Sequence, residues 1–214
     1  MNVSKYIIMC GGQYKKWETP RQLTKINGEA IVERTIRLLR ENGVDDIAIS
    51  TNNKAFEGIA PILAHTNKYV ANGYDNCEGH WNEAFYPTEE PACYIFGDVV
   101  FSETAIQIIV NTSTKDIEFF ASAPPFSKEY TKLWAEPFAL KVQNQRHLRQ
   151  AISLCNLYEQ QGLFNRKPIM WELWQVIKHT PLNLIDYNNY TVINDATCDI
   201  DNTEDIKLME GKFK

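Results

Sequence analysis

The sequence predicts an α/β fold around a largely parallel sheet, and three observations support this. Short apolar runs such as "KYIIMC", "DIAIST" and "ACYIFGD" have the length and composition of buried strands. They alternate with amphipathic segments of helical period, the pattern of strands joined by crossover helices. The chain has 214 residues of 44% hydrophobic composition, enough to bury a full core within one domain.

Each element follows from local pattern. "KYIIMC" reads as a central strand. In "EAIVERTIRLLRENG", Val32, Ile36 and Leu39 fall four and three residues apart on one helical face. Charged residues fill the other face, and Gly43 stands where a helix C-terminal glycine belongs. "DIAIST" is the next strand, "ILAHTN" a candidate third, and "CEGHWNEAFYP" a short helix closed by Pro87. "ACYIFGD" is a strand ending in Gly97-Asp98, "ETAIQIIVNT" a helix and "DIEFFASA" a strand. Beyond these, "EPFALKVQ", "HLRQAISLCNLYEQQG" and "MWELWQVIKHTPLNLIDY" continue the mixture less regularly. Trp171 and Trp174, three apart with Ile177 close behind, read as a buried helical face before they read as an aromatic cage. Connections between parallel strands are expected to be right-handed.

Composition excludes several classes. The net charge is -5 with both signs interspersed, so nucleic acid is not the expected partner. No apolar run reaches the ~20 residues of a membrane span, and no basic region leads into an apolar stretch as in a signal peptide. Neither internal repeats nor low-complexity tracts appear. The five cysteines (Cys10, Cys77, Cys93, Cys155 and Cys198) are odd in number and contain no Cys-x-x-Cys pair. That usage suits a reduced cytoplasm and neither a disulfide framework nor a zinc site. Cys10, at a strand edge, reads as a small buried residue in preference to a catalytic thiol.

The chain leaves its first strand through "CGGQYKKWETPRQL", a loop with two glycines and three cations within it. It is not Gly-x-Gly-x-x-Gly, because Tyr14 and Lys16 hold the later places, and no Gly-Lys-Ser/Thr closes a Walker pattern. Gly11, Gly12, Lys15, Lys16 and Arg21 remain. Backbone N–H groups near glycines approach phosphate closely, while Lys and Arg neutralise it. The alternative is a solvated turn. Asp98, straight after the strand "YIF", is a cap or turn residue or a metal ligand. A cationic loop behind another strand of the same sheet favours the ligand, because ligands collect outside the carboxyl ends of parallel strands.

The stretch "IIMCGG…TPRQLTKINGEAIVERTIRLLRENGVDDIAIST" resembles the opening of the sugar-phosphate and polyol-phosphate nucleotidyltransferases. "YIFGDVVF" is similar to the family's strand with Gly-Asp, and "CDIDNTEDIKLME" to its closing Ile-Asp segment. Together these landmarks span nearly the whole chain in order. The resemblance implies a single Rossmann-like, GT-A-type domain with α/β/α layers and a mixed, mostly parallel sheet. Residues 1–112 would form about the nucleotide-binding half and 113–214 the acceptor-binding half. Three positions depart from the family: Tyr14 replaces a loop glycine, Lys16 an arginine and Arg21 a lysine. A point charge and a planar fork hold phosphate differently, and a Cβ at position 14 redirects the loop or offers a ring to a base.

The implied reaction is attack on the α-phosphorus of a nucleoside triphosphate by the phosphate of an acceptor, with pyrophosphate leaving. The acceptor's second pKa is near ~6, so it is ionised at neutral pH and needs no histidine base. The four histidines (His65, His80, His147 and His179) show no triad pattern. The resemblance assigns Mg2+ to Asp98 and Asp201, with Asp199 as the substitute, and triphosphate to Lys16 and Arg21. Cys10, Gly11, Gly12, Gln13, Tyr14, Gly79, Trp81 and Gly97 are the candidate nucleotide-binding residues, with Glu83 beside them. Trp134, Glu136, Arg166 and Lys167 are candidates for the acceptor, each with a plain structural or surface alternative. The compact chain and its Asp-Ile-Asp stretch look most like cytidylyltransferases that make CDP-choline or CDP-polyols for bacterial surface polymers. CTP with a small phosphorylated polyol, amino alcohol or sugar phosphate is therefore the preferred pair. Uridylyl or guanylyl transfer to a sugar 1-phosphate or a molybdenum cofactor is the enzyme alternative. A GT-A glycosyltransferase is disfavoured by Gly-Asp-Val in place of Asp-x-Asp, and a non-catalytic nucleotide-binding regulator stays open, as does a homodimer.

Overall fold

The computed structural model describes residues 3–14, 17–71, 79–125 and 135–213. Among these residues the main sheet has seven strands: β1 (Lys5–Met9), β2 (Asp46–Thr51), β3 (Ile62–Ala64), β4 (Ala92–Phe96), β5 (Ile117–Ser122), β6 (Pro137–Val142) and β7 (Thr191–Ile193). Their order is β7-β5-β6-β4-β1-β2-β3. The β1/β2, β1/β4, β2/β3 and β5/β7 pairs are parallel, and β6 runs antiparallel to both β5 and β4. Among the described residues five helices accompany it: α1 (Ile31–Glu41), α2 (Glu103–Asn111), α3 (Gln145–Gln160), α4 (Met170–Lys178) and α5 (Thr203–Lys212). This is the expected α/β architecture with a mixed, mostly parallel sheet.

Local chemistry explains the elements. Every residue of β4 is buried, as are Tyr6 to Met9 of β1, so these strands lack polar alternation. Helix α1 buries Val32, Ile36 and Leu39. It ends as the sequence indicates: Gly43 takes φ +78°, its N–H reaches Arg40 O at 2.9 Å, and Val44 N–H reaches Leu39 O at 3.1 Å. These two bonds are a Schellman motif, which only a residue at ease with positive φ closes cheaply. In the described part of "CEGHWNEAFYP", the expected short helix is a single 3-10 turn, Trp81–Ala84. Just after it, Phe85 packs edge-on against Tyr94, with ring centres 5.1 Å apart.

The two central tryptophans are core, as their spacing indicates. Trp171 and Trp174 are 1% and 2% exposed and pack against Phe119, the first edge-on and the second tilted. Lys141 is also fully buried, on β6. Its ammonium donates to Val110 O at 3.1 Å and Thr112 O at 2.6 Å, capping the carbonyl end of α2. Burial lowers its pKa, against the opposing pull of Cys93 and Glu118. Among the described residues no helix is long and apolar enough to cross a membrane.

Candidate active site

The parallel registers bring the carboxyl ends of β1, β2 and β4 to one edge, since Met9 lies opposite both Ser50 and Phe96. Beyond that edge the strands remain laced together. Cys10 N–H donates to Ser50 O at 3.0 Å, Thr51 Oγ1 to Cys10 O at 3.0 Å, and Gly97 N–H to Met9 O at 3.2 Å. Gly97 is required by space: a Cβ there would lie 2.6 Å from Met9 O and 2.7 Å from Cys10 Sγ. A Cβ on Gly12 would meet nothing within 4 Å, so this stretch of backbone is open to a ligand. A cleft of about 240 Å³ forms here, lined in part by Gly11, Gly12, Trp17, Arg21, Asn52 and Asn53.

Arg21 is the hub. It opens a 3-10 turn, Arg21–Leu23, whose next residue, Gln22, is buried against the Gly97 position. Its guanidinium forks between two carboxylates: one nitrogen lies 2.5 Å from Asp98 Oδ2, the other 2.8 Å from Asp201 Oδ1 and 2.8 Å from Ile200 O. Burial opposes this charge, but Asp98, Asp201 and Asp199 outweigh it and raise the guanidinium pKa. The Cys10 thiol is pushed well up by burial and then by Asp98, so it is held protonated and is no nucleophile.

Asp98 and Asp201 are 103 residues apart in sequence and meet through backbone pairing. Val99–Val100 forms a short antiparallel ladder with Cys198–Asp199, and Ile200 N–H donates to Asp98 O at 3.0 Å. On the far side α5 fixes the turn: Asp205 Oδ2 accepts from Asp201 N–H at 2.9 Å and Asn202 N–H at 3.2 Å. Asn202 in turn caps the helix by accepting from Glu204 and Asp205. From beneath, buried Glu136 accepts from Asp199 N–H at 3.1 Å and faces Cys198 Sγ at 3.7 Å. Glu136, Cys198 and Asp199 place possible ligand atoms within 4.8 Å of one another. The hydrogen bonds within that trio identify it as a brace under the Asp199–Asp201 turn.

The site fits a hard cation. Two carboxylate oxygens from different loops converge on one positive group, and magnesium is held by one or two carboxylates with the remaining ligands supplied by water and phosphate.

The structure therefore brings Cys10, Gly11, Gly12, Gly97, Asp98, Arg21 and Asp201 to one edge. Gln13 and Tyr14 continue from it as a two-residue strand beside Val70–Ala71. Lys15, Lys16, Cys77 and Trp134 lie outside the described residues. Gly79 and Trp81 do not line the cleft. Gly79 takes φ +70° where a Cβ would sit 2.9 Å from the Lys68 carbonyl, and Trp81 packs on Phe85 and Phe96. Among the histidines, His65 bonds Glu83 O, His80 pairs with Glu159, His147 with Asp116, and His179 ends α4 in a left-handed conformation. Arg166 donates through Nε to Glu172 at 2.6 Å, and Glu172 also accepts from Ile169 N–H at 3.0 Å. Glu136, expected at an acceptor or on the surface, is 1% exposed. Its bracing role carries no sequence signal, because its partner Asp199 is 63 residues away.

No protein-family profile matches the chain, and no curated protein matches it. Solved structures do match along nearly the full length. The inositol-1-phosphate CTP transferase from T. maritima superposes with a TM-score of 0.55 at 11% identity, covering 98% of this chain and 96% of that one. The CTP:phosphocholine cytidylyltransferase LicC from Streptococcus pneumoniae gives 0.51 at 14%, covering 100% of both chains. HddC from Yersinia pseudotuberculosis, solved with GMP-PN, gives 0.54 at 12%, again covering 100% of both. At these identities the likeness is one of fold. The chain shares its fold with these three proteins.

Proposed function

We propose that the chain is a nucleotidyltransferase that joins a nucleoside triphosphate, preferably CTP, to a small phosphorylated alcohol and releases pyrophosphate. The observation that carries this reading is the Arg21 fork across Asp98 and Asp201, with Arg21 itself lining a cleft walled in part by Gly11 and Gly12. Two carboxylates, one cation and open glycine backbone at the carboxyl edge are what a metal-bound triphosphate needs. The open backbone around Gly12 and the Arg21 guanidinium suit the phosphates, with Lys16 assigned to the same task. Asp98 and Asp201 would hold Mg2+, whose charge, when bound, offsets the negative charge of the reacting phosphates. The acceptor phosphate is already ionised, so the protein supplies alignment and charge neutralisation and no general base. The rings of His65, His80 and His147 are engaged elsewhere, with Glu83 O, Glu159 and Asp116.

CTP is preferred because two of the matched proteins are CTP enzymes by name. HddC with GMP-PN keeps guanylyl transfer as the alternative. Burial raises the Tyr187 hydroxyl pKa, against the opposing pull of Arg166 and of a backbone hydrogen bond at Ala135. We assign the acceptor phosphate to the side of Arg166, whose guanidinium is held in place by Glu172 at 2.6 Å. The product would serve as an activated precursor of cell-surface polysaccharide, made in the cytoplasm. The test is pyrophosphate release across four nucleotides and a panel of glycerol phosphates, ribitol phosphate, phosphocholine and hexose 1-phosphates. CTP with a polyol or amino-alcohol phosphate is the expected pair. UTP or GTP with a hexose 1-phosphate would refute the cytidylyl assignment, and transfer from a nucleotide sugar without pyrophosphate would refute the reaction.

A further inference from the structure

The position of Arg21 has a consequence for the order in which ligands enter, and this consequence rests on the nucleotidyltransferase reading. A divalent ion shared by Asp98 and Asp201 must sit among the oxygens that now receive the guanidinium. Two cations cannot share that space, because each would repel the other inside a partly buried site. Side-chain exposures of 16% for Arg21 and 24% for Asp98, beside 37% for Asp201, make the site partly buried, so water screens the repulsion only in part.

We infer that Arg21 is a built-in occupant of the metal site, exchanged for the ion only when a triphosphate arrives. In the ligand-free protein the guanidinium neutralises both carboxylates. A metal–triphosphate complex brings a cation for Asp98 and Asp201 and an anion for Arg21 together. The exchange leaves no buried charge unpaired at either end, which avoids the cost of stranding a carboxylate. Geometry permits it without moving the main chain. The Arg21–Leu23 turn is held by Leu23 N–H to Pro20 O and Thr24 N–H to Arg21 O, both 2.9 Å, so the exchange is assigned to the side chain. Its destination is near, since Arg21, Gly11 and Gly12 line the same cleft. Metal alone should therefore bind weakly. Metal and nucleotide should each strengthen the other's binding by the same factor.

The experiment is Mn2+ titration of the full chain by electron paramagnetic resonance, without nucleotide, for wild type, Arg21→Gln and Arg21→Lys. Arg21→Gln should bind Mn2+ about tenfold or more tightly than wild type, a gain of ~1.4 kcal/mol. Arg21→Lys, which keeps the charge but loses the fork, should fall between. Adding Asp98→Asn to Arg21→Gln should abolish the gain, placing the ion at Asp98. Should Arg21→Gln fail to fold, the Arg21→Lys titration and wild-type melting curves carry the test. Mg2+ with CTP must then raise the Tm by more than the sum of the two separate shifts. The inference is overturned if neither variant binds Mn2+ more tightly than wild type, or if the wild-type shifts merely add. If wild type takes Mn2+ with CTP but the variants gain nothing alone, the inference falls and the proposed function stands. If the variants gain Mn2+ affinity but no form binds any nucleotide, the occupant role stands and the proposed function falls.

Discussion

Replacing Gly97 with alanine tests whether the carboxyl edge is built as described. The new methyl carbon would lie 2.6 Å from Met9 O, 2.7 Å from Cys10 Sγ and 3.1 Å from Gln22 Cγ. Carbon contacts are comfortable near ~3.5–4.0 Å, so the nearest neighbour must retreat by roughly 1 Å. That neighbour is backbone on the central strand, held in register with β2 and β4, and cannot rotate away. Overpacking costs ~1–3 kcal/mol, and an immovable partner puts this case at the upper end, about 2–3. For a chain of this size each kcal/mol is ~2–4 °C, so the Tm should drop by about 4–12 °C. Asp98 is the next residue, and a displacement of ~1 Å in a positioned group costs ~100-fold in rate. Calorimetry and pyrophosphate release measured well below the new Tm read both effects. Gly12→Ala is the stability control, since its Cβ meets nothing within 4 Å. A Gly97→Ala protein that melts within about 1 °C of wild type and turns over normally would refute the packing argument.

Three further outcomes are expected. Asp98→Asn should abolish metal-dependent turnover with the fold intact, and Asp201→Asn should be the next most damaging; circular dichroism and pyrophosphate assays check this, and a harmless Asp201→Asn beside a dead Asp199→Asn would transfer the role. Lys141→Met should cost ~1–3 kcal/mol by leaving the Val110 and Thr112 carbonyls uncapped, read as a lower urea midpoint with turnover retained at low temperature. Burial raises the Cys93 thiol to about 12 and the Cys155 thiol to about 11, while Cys10 and Cys198 are also buried, so at pH 8 a thiol reagent should label these four only after unfolding.

Much of the fold was legible because its signals are local. The runs "YIIM" and "CYIF" are apolar without alternation, which suits strands covered on both faces, and Gly43 punctuates α1 where the Schellman bonds need it. What was not legible depends on residues distant in sequence. β6 inserts antiparallel between β4 and β5, and its run "PFALKV" does not distinguish that placement from a parallel one. Lys141 within it looks like a surface cation, yet it is buried because two carbonyls of α2 await a donor. The same holds at the site. Gly97-Asp98 and the Ile200-Asp201 pair stood out separately, and only the ladder between Val99–Val100 and Cys198–Asp199 joins them. Arg21 was expected to hold triphosphate; that it bridges both carboxylates could not be read from spacing.

The most direct test of the central claim follows the label in CTP carrying 32P at the α position, incubated with Mg2+ and a phosphorylated polyol or amino alcohol. The account predicts that label appears in a new cytidine diphosphate-linked product, with one unlabelled pyrophosphate formed per product molecule. Label recovered as CMP or left in CDP, with the acceptor unchanged, would contradict it.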